Sequence, residues 1–197
     1  MPSDRPAQFF WSLRDVAALV ATAVVLGVVF FLWEWVVRLL GGILPAVAMG
    51  LLYGVWYWGG LLLAYAIRKP GAALLGEFGA ALVEFALGSP LGMLVLVFGW
   101  VQGLAAEVVF AWTRFTRWGL MTMLLAGALA GVTDFAVNLV VPPLQLAQGS
   151  GRMIAGMLVA TLVSGAILGG LVSKLLGDRL LAIPAARRFL GTPASEV

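Results

Sequence analysis

The stretch Arg68–Pro90, RKPGAALLGEFGAALVEFALGSP, decides how the chain is read. Arg68-Lys69-Pro70-Gly71 closes one apolar segment and Gly88-Ser89-Pro90 closes the next, both carrying the residues that stop helices. Between them, Ala72 to Leu87 reads as an apolar helix interrupted by Glu77 and Glu84. Seven helical residues turn through about 700°, so the two acids share one face, with Ala80 and Ala81 between them. That face is an acidic stripe floored by methyl groups, with room beside the carboxylates for a guest. The alternative is that the acids bond to neighbouring helices and only fix packing.

The setting makes these acids informative. Of the 197 residues 62% are hydrophobic and 11% charged, too little charge to cover a soluble domain, so the chain reads as an integral membrane protein. Glu77, Glu84, Glu107 and Asp134 all fall inside apolar stretches, with no Lys, Arg or His at that depth. A carboxylate inside a bilayer is expensive, so such acids must be protonated, hydrated or waiting for a cation. Cysteine and histidine are absent, which excludes disulfides, Ser-His and Cys-His catalysis, and the usual soft or imidazole metal ligands. No metal, cofactor or enzymatic activity is therefore expected. The isoelectric point of about 9.8 comes from arginines in short loops between spans. Loop arginines of that kind set membrane topology, and nucleic acid is not an expected partner.

The spacing of apolar runs predicts an all-α fold of six transmembrane helices, in one membrane domain over 1–197 with a polar tail from about 184. The expected spans run from about Leu13 to Trp33, Ile43 to Ile67 and Ala72 to Leu87, then a fourth that ends near Trp112, and on from Leu120 to Val141 and Met153 to Leu176. Glu34, Arg38 and Gly41-Gly42 are read as a linker between the first two. The short Gly88-Ser89-Pro90 turn makes the third and fourth helices antiparallel neighbours. Neither an internal repeat nor a broken helix is visible, and no cleavable leader is expected before the first span. Placing both termini in the cytoplasm puts all but two of the 12 Lys and Arg residues inside, the exceptions being Arg38 and Arg152.

Other positions extend the acidic face. Gly127, Gly131, Asp134 and Asn138 fall at i, i+4, i+7 and i+11, one face that is a small-residue packing seam at one end and polar at the other. The alternative for Asn138 is an interfacial cap. Gln102 sits between Gly99 and Ala106 and offers both a donor and an acceptor, which suits a heteroaromatic ring. Glu107 points about 140° away from Gln102, toward an arginine such as Arg68 or Arg114 in a structural pair. Tyr53, Trp56, Tyr57 and Trp58 read as an interfacial aromatic belt. Trp33 and Glu34 lie at the expected outer mouth, where a ring and a carboxylate would hold a cation. On the first helix, Ala17 and Ala21 form a small-xxx-small face for close helix contact.

Arg68-Lys69-Pro70-Gly71-Ala72-Ala73 through Glu77, Ala80–Glu84 and Gly88–Gly92 resembles a known family, as does Val101–Phe110 with Thr113-Arg114. The resemblance, over about residues 68–114, is to the substrate-binding S component of an energy-coupling factor (ECF) transporter, in the YkoE-like thiamin/hydroxymethylpyrimidine branch. It implies a subunit of the bacterial cytoplasmic membrane, in contact with lipid, that captures a vitamin from outside. Its implied partners are a transmembrane coupling subunit and two ATP-binding subunits, which accounts for the missing phosphate loop. By the same resemblance, Ala17 and Ala21 belong to the face that docks the coupling subunit. The loops that close over substrate would be Glu34–Pro45 and Val141–Arg152, the latter with Pro142-Pro143.

The chemistry of such a ligand suits the acidic face. Thiamin carries a cationic thiazolium and an aminopyrimidine with an amine donor and ring-nitrogen acceptors. Glu84, Gln102 and Asn138 are assigned to the pyrimidine side, with Glu77 on the same acidic stripe. Asp134 and Glu34 would offset the thiazolium charge and Trp33 would stack on a ring. Two other classes remain open. One is a stand-alone secondary transporter exchanging protons for an organic cation at Glu77 or Glu84, against which stand the absent repeat and unbroken helices. The other is an assembly subunit whose acids merely pair with neighbouring helices.

Overall fold

The computed structural model describes residues 10–141 and 149–190. Arg5, the Pro142-Pro143 pair and the tail beyond Leu190 lie outside the described residues. The described elements are helical: α1 (Leu13–Gly41), α2 (Ala46–Gly50), a 3-10 segment (Tyr53–Tyr57), α3 (Trp58–Ile67), α4 (Ala72–Ala86), α5 (Leu94–Trp112), α6 (Leu120–Val140), α7 (Gly151–Ser164), a π segment (Gly165–Leu171), α8 (Val172–Ala182) and α9 (Pro184–Leu190).

Among the described residues, five stretches are long and apolar enough to cross a membrane: Leu13–Gly41, Ala46–Ile67, Leu94–Trp112, Leu120–Val140 and Gly151–Ala182. The third expected span, Ala72 to Leu87, corresponds to α4, which has 15 residues. At 1.5 Å per residue that is roughly 22 Å, short of a bilayer core of about 30 Å. α4 packs against α1, α3 and α5. Its ends are set by Gly71 (φ +87°) and Gly88 (φ +88°), a backbone conformation that glycine enters without the Cβ penalty.

Two expectations about the spans need correction. α1 does not end at Trp33: nothing in Glu34–Leu40 breaks a helix, Glu34 and Arg38 make a favourable i, i+4 pair, and the helix runs on to Gly41. The expected Glu34–Pro45 linker is thus largely helix. The second span is not continuous, because the 3-10 segment Tyr53–Tyr57 separates α2 from α3. Gly54 permits that break to press against α7, where a Cβ would lie 2.3 Å from the Ser164 carbonyl oxygen. The polar tail from about 184 begins as α9, which contacts α8 and α1.

Backbone groups freed by these irregularities find partners. Ser164 Oγ accepts the Gly54 N–H at 2.9 Å and donates to the Leu51 carbonyl at 2.7 Å, bridging the break from outside it. The Trp58 indole N–H donates to the Leu168 carbonyl of the π segment at 2.7 Å. In a hydrocarbon setting each unpaired group would cost several kcal/mol, so broken backbone persists only where side chains or neighbouring helices complete it. The small face of α6 is the closest seam: a Cβ on Gly127 would stand 2.0 Å from the Gly165 carbonyl oxygen, and one on Gly131 2.2 Å from that of Thr161. The outer surface is apolar, with Val20, Val24, Val25 and Val28 exposed on α1 beside Ala17 and Ala21.

At the Arg68 end, α1 starts with a capping box between Ser12 and Asp15, and Lys69 Nζ reaches the Asp15 carboxylate at 2.5 Å. Nearby, the Tyr65 hydroxyl donates to Asp178, which also pairs with Lys174.

Candidate functional site

The two inward acids of α4 have different surroundings. Glu77 Oε2 accepts the Gly60 N–H at 2.6 Å, in the first turn of α3, so this carboxylate completes the helix start just after the break. Gly59 and Gly60 allow that approach, since a Cβ on Gly59 would lie 3.0 Å from the same oxygen. Glu84, two turns on, accepts the Trp56 indole N–H at 3.0 Å. Both are buried at 2% exposure, which leaves neither able to use bulk water as its partner.

On α5 and α6, Gln102 Nε2 donates to Asp134 Oδ1 at 2.7 Å. Asn138 Nδ2 donates to Asp134 Oδ2 at 3.2 Å and to the Asp134 carbonyl at 2.9 Å, so Asn138 is a partner of that carboxylate and not a detached cap. Glu34, facing inward from α1, accepts the Ser89 hydroxyl on Oε2 at 2.6 Å, and Arg38 approaches its Oε1 at 3.3 Å.

These groups surround one cavity of about 170 Å³. α1 contributes Phe30, Glu34, Val37 and Arg38; the break in the second span contributes Tyr53 and Trp56. α4 supplies Glu77, Ala81 and Glu84. α5 and the turn before it supply Leu91, Val95, Phe98, Gly99 and Gln102, and α6 supplies Asp134 and Asn138. The lining is mostly apolar and aromatic, with a few convergent polar groups, which is the make-up of a small-molecule site. Four acidic side chains against one guanidinium give it an acidic balance, and Tyr53, Trp56 and Phe98 add aromatic rings to the lining.

Six of the seven sequence candidates, Glu34, Glu77, Glu84, Gln102, Asp134 and Asn138, line this cavity. Trp33 does not: it is about 100° around α1 from Glu34, and its indole N–H donates to the Leu52 carbonyl at 3.1 Å. Ala17 and Ala21 lie on the outward face of α1, away from the cavity. Glu107 is structural, but its partners are main-chain amides where an arginine was expected: it accepts from Gly71 N at 2.5 Å, Ala73 N at 3.0 Å and Leu74 N at 3.3 Å. The start of α4 has no side-chain cap of its own, and the favourable end of its dipole supplies what a cation would.

Sequence reasoning missed Trp56, Tyr53, Ser89 and Arg38. Tyr53 and Trp56 read as belt residues because the break that turns them inward has no local signature beyond its glycines. Ser89 stood in a turn motif, where its hydroxyl gave no sign of reaching α1.

Comparison with known proteins agrees with this architecture. Residues 14–133 match the model of a family described as the ABC-type cobalt transport system, permease component. A Bacillus subtilis (strain 168) protein bearing the name HMP/thiamine permease protein YkoE is 39% identical over 170 residues, covering 86% of this chain and 84% of that relative. A crystal structure of an S component of an ECF transporter superposes with a TM-score of 0.85 at 37% identity, covering 91% of this chain and 90% of the other. Both relatives are transporter components and neither is an enzyme.

Proposed function

The chain belongs to the S components of ECF transporters, in the YkoE-like branch, and from that premise we propose that its cavity captures thiamin or its hydroxymethylpyrimidine precursor from outside the cell. The observation that carries this reading is the convergence of acids, amides and aromatic rings from α1, α4, α5, α6 and the helix break on one buried space. Gln102 and Asn138 present hydrogen-bond groups beside Asp134, while Glu84 stands beside Trp56. That mixture suits an aminopyrimidine, whose amine donates and whose ring nitrogens accept.

Size orders the two halves of the ligand. An apolar cavity of about 150 Å³ holds one benzene ring, and this one measures about 170 Å³. The pyrimidine fills it alone. The thiazolium of thiamin must extend toward the Glu34–Arg38 side, where Arg38 is the exposed member of the lining. Cobalt, named in the family description, is a poor fit to this chain: it has no His or Cys, and among the described residues no cluster of three metal-ligating side chains occurs.

In the same reading the whole chain forms one domain of six spans in the bacterial cytoplasmic membrane, with both termini in the cytoplasm. α4 counts as one of the six spans, its acids shielded by α1, α3 and α5. Ala17 and Ala21 form part of the contact with the coupling subunit, which joins two ATP-binding subunits that power release inward. The exposed apolar side chains of Val16, Val20 and Val24 around them support that docking face.

The test is direct titration of the purified protein with thiamin and with hydroxymethylpyrimidine, followed by tryptophan fluorescence. Saturable quenching at micromolar or lower concentration is expected for at least one. No binding of either ligand refutes the proposal.

One observation favours a second reading. The break in the second span faces the acids, and discontinuous helices at a buried site also occur in secondary transporters. In that reading the chain alone exchanges protons for an organic cation. Uptake into liposomes containing only this protein, driven by a pH gradient, would favour it over the first.

A further inference from the structure

We propose that Arg38 is a tethered counter-ion, which a cationic guest must displace from Glu34 and a neutral pyrimidine need not. This makes Arg38 a specificity-determining residue, and it rests on the thiamin/hydroxymethylpyrimidine reading of the cavity. The two oxygens of Glu34 are held unequally. Oε2 receives the Ser89 hydroxyl at 2.6 Å, a short bond within a buried pair that fixes the carboxylate. Oε1 faces Arg38 Nη2 at 3.3 Å and Nε at 3.4 Å, well beyond the roughly 2.7–2.9 Å of a tight charge-assisted bond. The carboxylate side chain is 4% exposed and the arginine side chain 44% exposed. The anion is therefore fixed and desolvated, and its cation is loosely held and already half in solvent.

Position adds to this. Arg38 lies one helical turn beyond Glu34 and in the last turn of α1, where unpaired carbonyls and the negative end of the helix dipole offer it another place to rest. Among the described residues that line the cavity, Arg38 is the one base beside Glu34, Glu77, Glu84 and Asp134. In the empty protein it offsets charge at the mouth. A thiazolium arriving beside Glu34 would meet a like charge until the guanidinium swings outward, so part of its binding energy goes into moving Arg38. A neutral ring seated deeper, at Glu84 and Gln102, leaves the pair intact.

The experiment compares thiamin and hydroxymethylpyrimidine binding to the unaltered full-length protein, to R38Q and to R38K, by the same fluorescence titration. Releasing one half-exposed ion pair should make R38Q bind thiamin up to about fivefold more tightly. Its affinity for the neutral pyrimidine should change less than about twofold. R38K keeps the cation and should keep the ratio of the two affinities. The inference is overturned if R38Q weakens thiamin binding or leaves the ratio unchanged, or if R38K shifts the ratio as far as R38Q. If the unaltered protein binds neither ligand, the reading of the cavity fails and this inference fails with it. Binding without the R38Q effect removes only the role of Arg38.

Discussion

Replacing Glu77 separates a structural carboxylate from one that only awaits a guest. Its Oε2 receives the Gly60 amide at 2.6 Å in a buried setting, at the first turn of the helix that follows the break. Glu77→Ala keeps the Cβ, which packs 2.9 Å from where a Cβ on Gly103 would sit, but removes the acceptor. The Gly60 N–H is then left without a partner where water does not reach it. Losing this hydrogen bond and leaving the donor buried without an acceptor costs about 2–3 kcal/mol. For a chain of this size each kcal/mol moves the unfolding midpoint by about 2–4 °C, so a fall of roughly 4–12 °C is expected. Glu77→Gln retains an oxygen for Gly60 and should lose less than about 1 kcal/mol. The assay is thermal unfolding of the detergent-solubilised protein, followed by intrinsic tryptophan emission. The reasoning is refuted if the Ala variant unfolds within about 1 °C of the unaltered protein, or if Gln destabilises as much as Ala.

Four further outcomes follow from the structure. Gln102→Leu strips Asp134 Oδ1 of its donor while Asn138 keeps Oδ2, so affinity for the pyrimidine ligand should fall about tenfold or more in a titration. Ser164→Ala, outside the cavity, removes both bonds that clip the second span at its break. It should lower stability by about 1–3 kcal/mol and weaken ligand quenching, because Tyr53 and Trp56 lose their anchorage. Gly127→Ala would drive a methyl group to 2.0 Å from the Gly165 carbonyl oxygen, so α6 and the π segment must part. A cost above about 4 kcal/mol and loss of a monodisperse peak in gel filtration are expected. Gly151→Ala, with nothing within 4 Å of its added methyl, should behave as the unaltered protein.

The sequence by itself determined the membrane class, the ends of α4 and α6, the C-terminal end of α5, and the set of acids that share inward faces. Those properties follow from local quantities: the transfer cost of charge into hydrocarbon, the helical period, and the glycines and prolines that stop a helix. Glu77 with Glu84, and Asp134 with Asn138, could be paired on a face from spacing alone. Tertiary structure decided which groups meet. The break at Tyr53–Tyr57 exists because Ser164 and Glu77, from two other helices, satisfy the backbone on either side of it. Glu107 turned to the amides of α4 because an uncapped helix start lay within its reach. Trp56 and Arg38 joined the cavity, and Ser89 reached Glu34, through contacts that depend on how α1, α4 and the broken span are set against each other. A hydrogen bond between residues 28 or 55 positions apart leaves no trace in periodicity, because its energy depends on a distance that only the packed bundle defines.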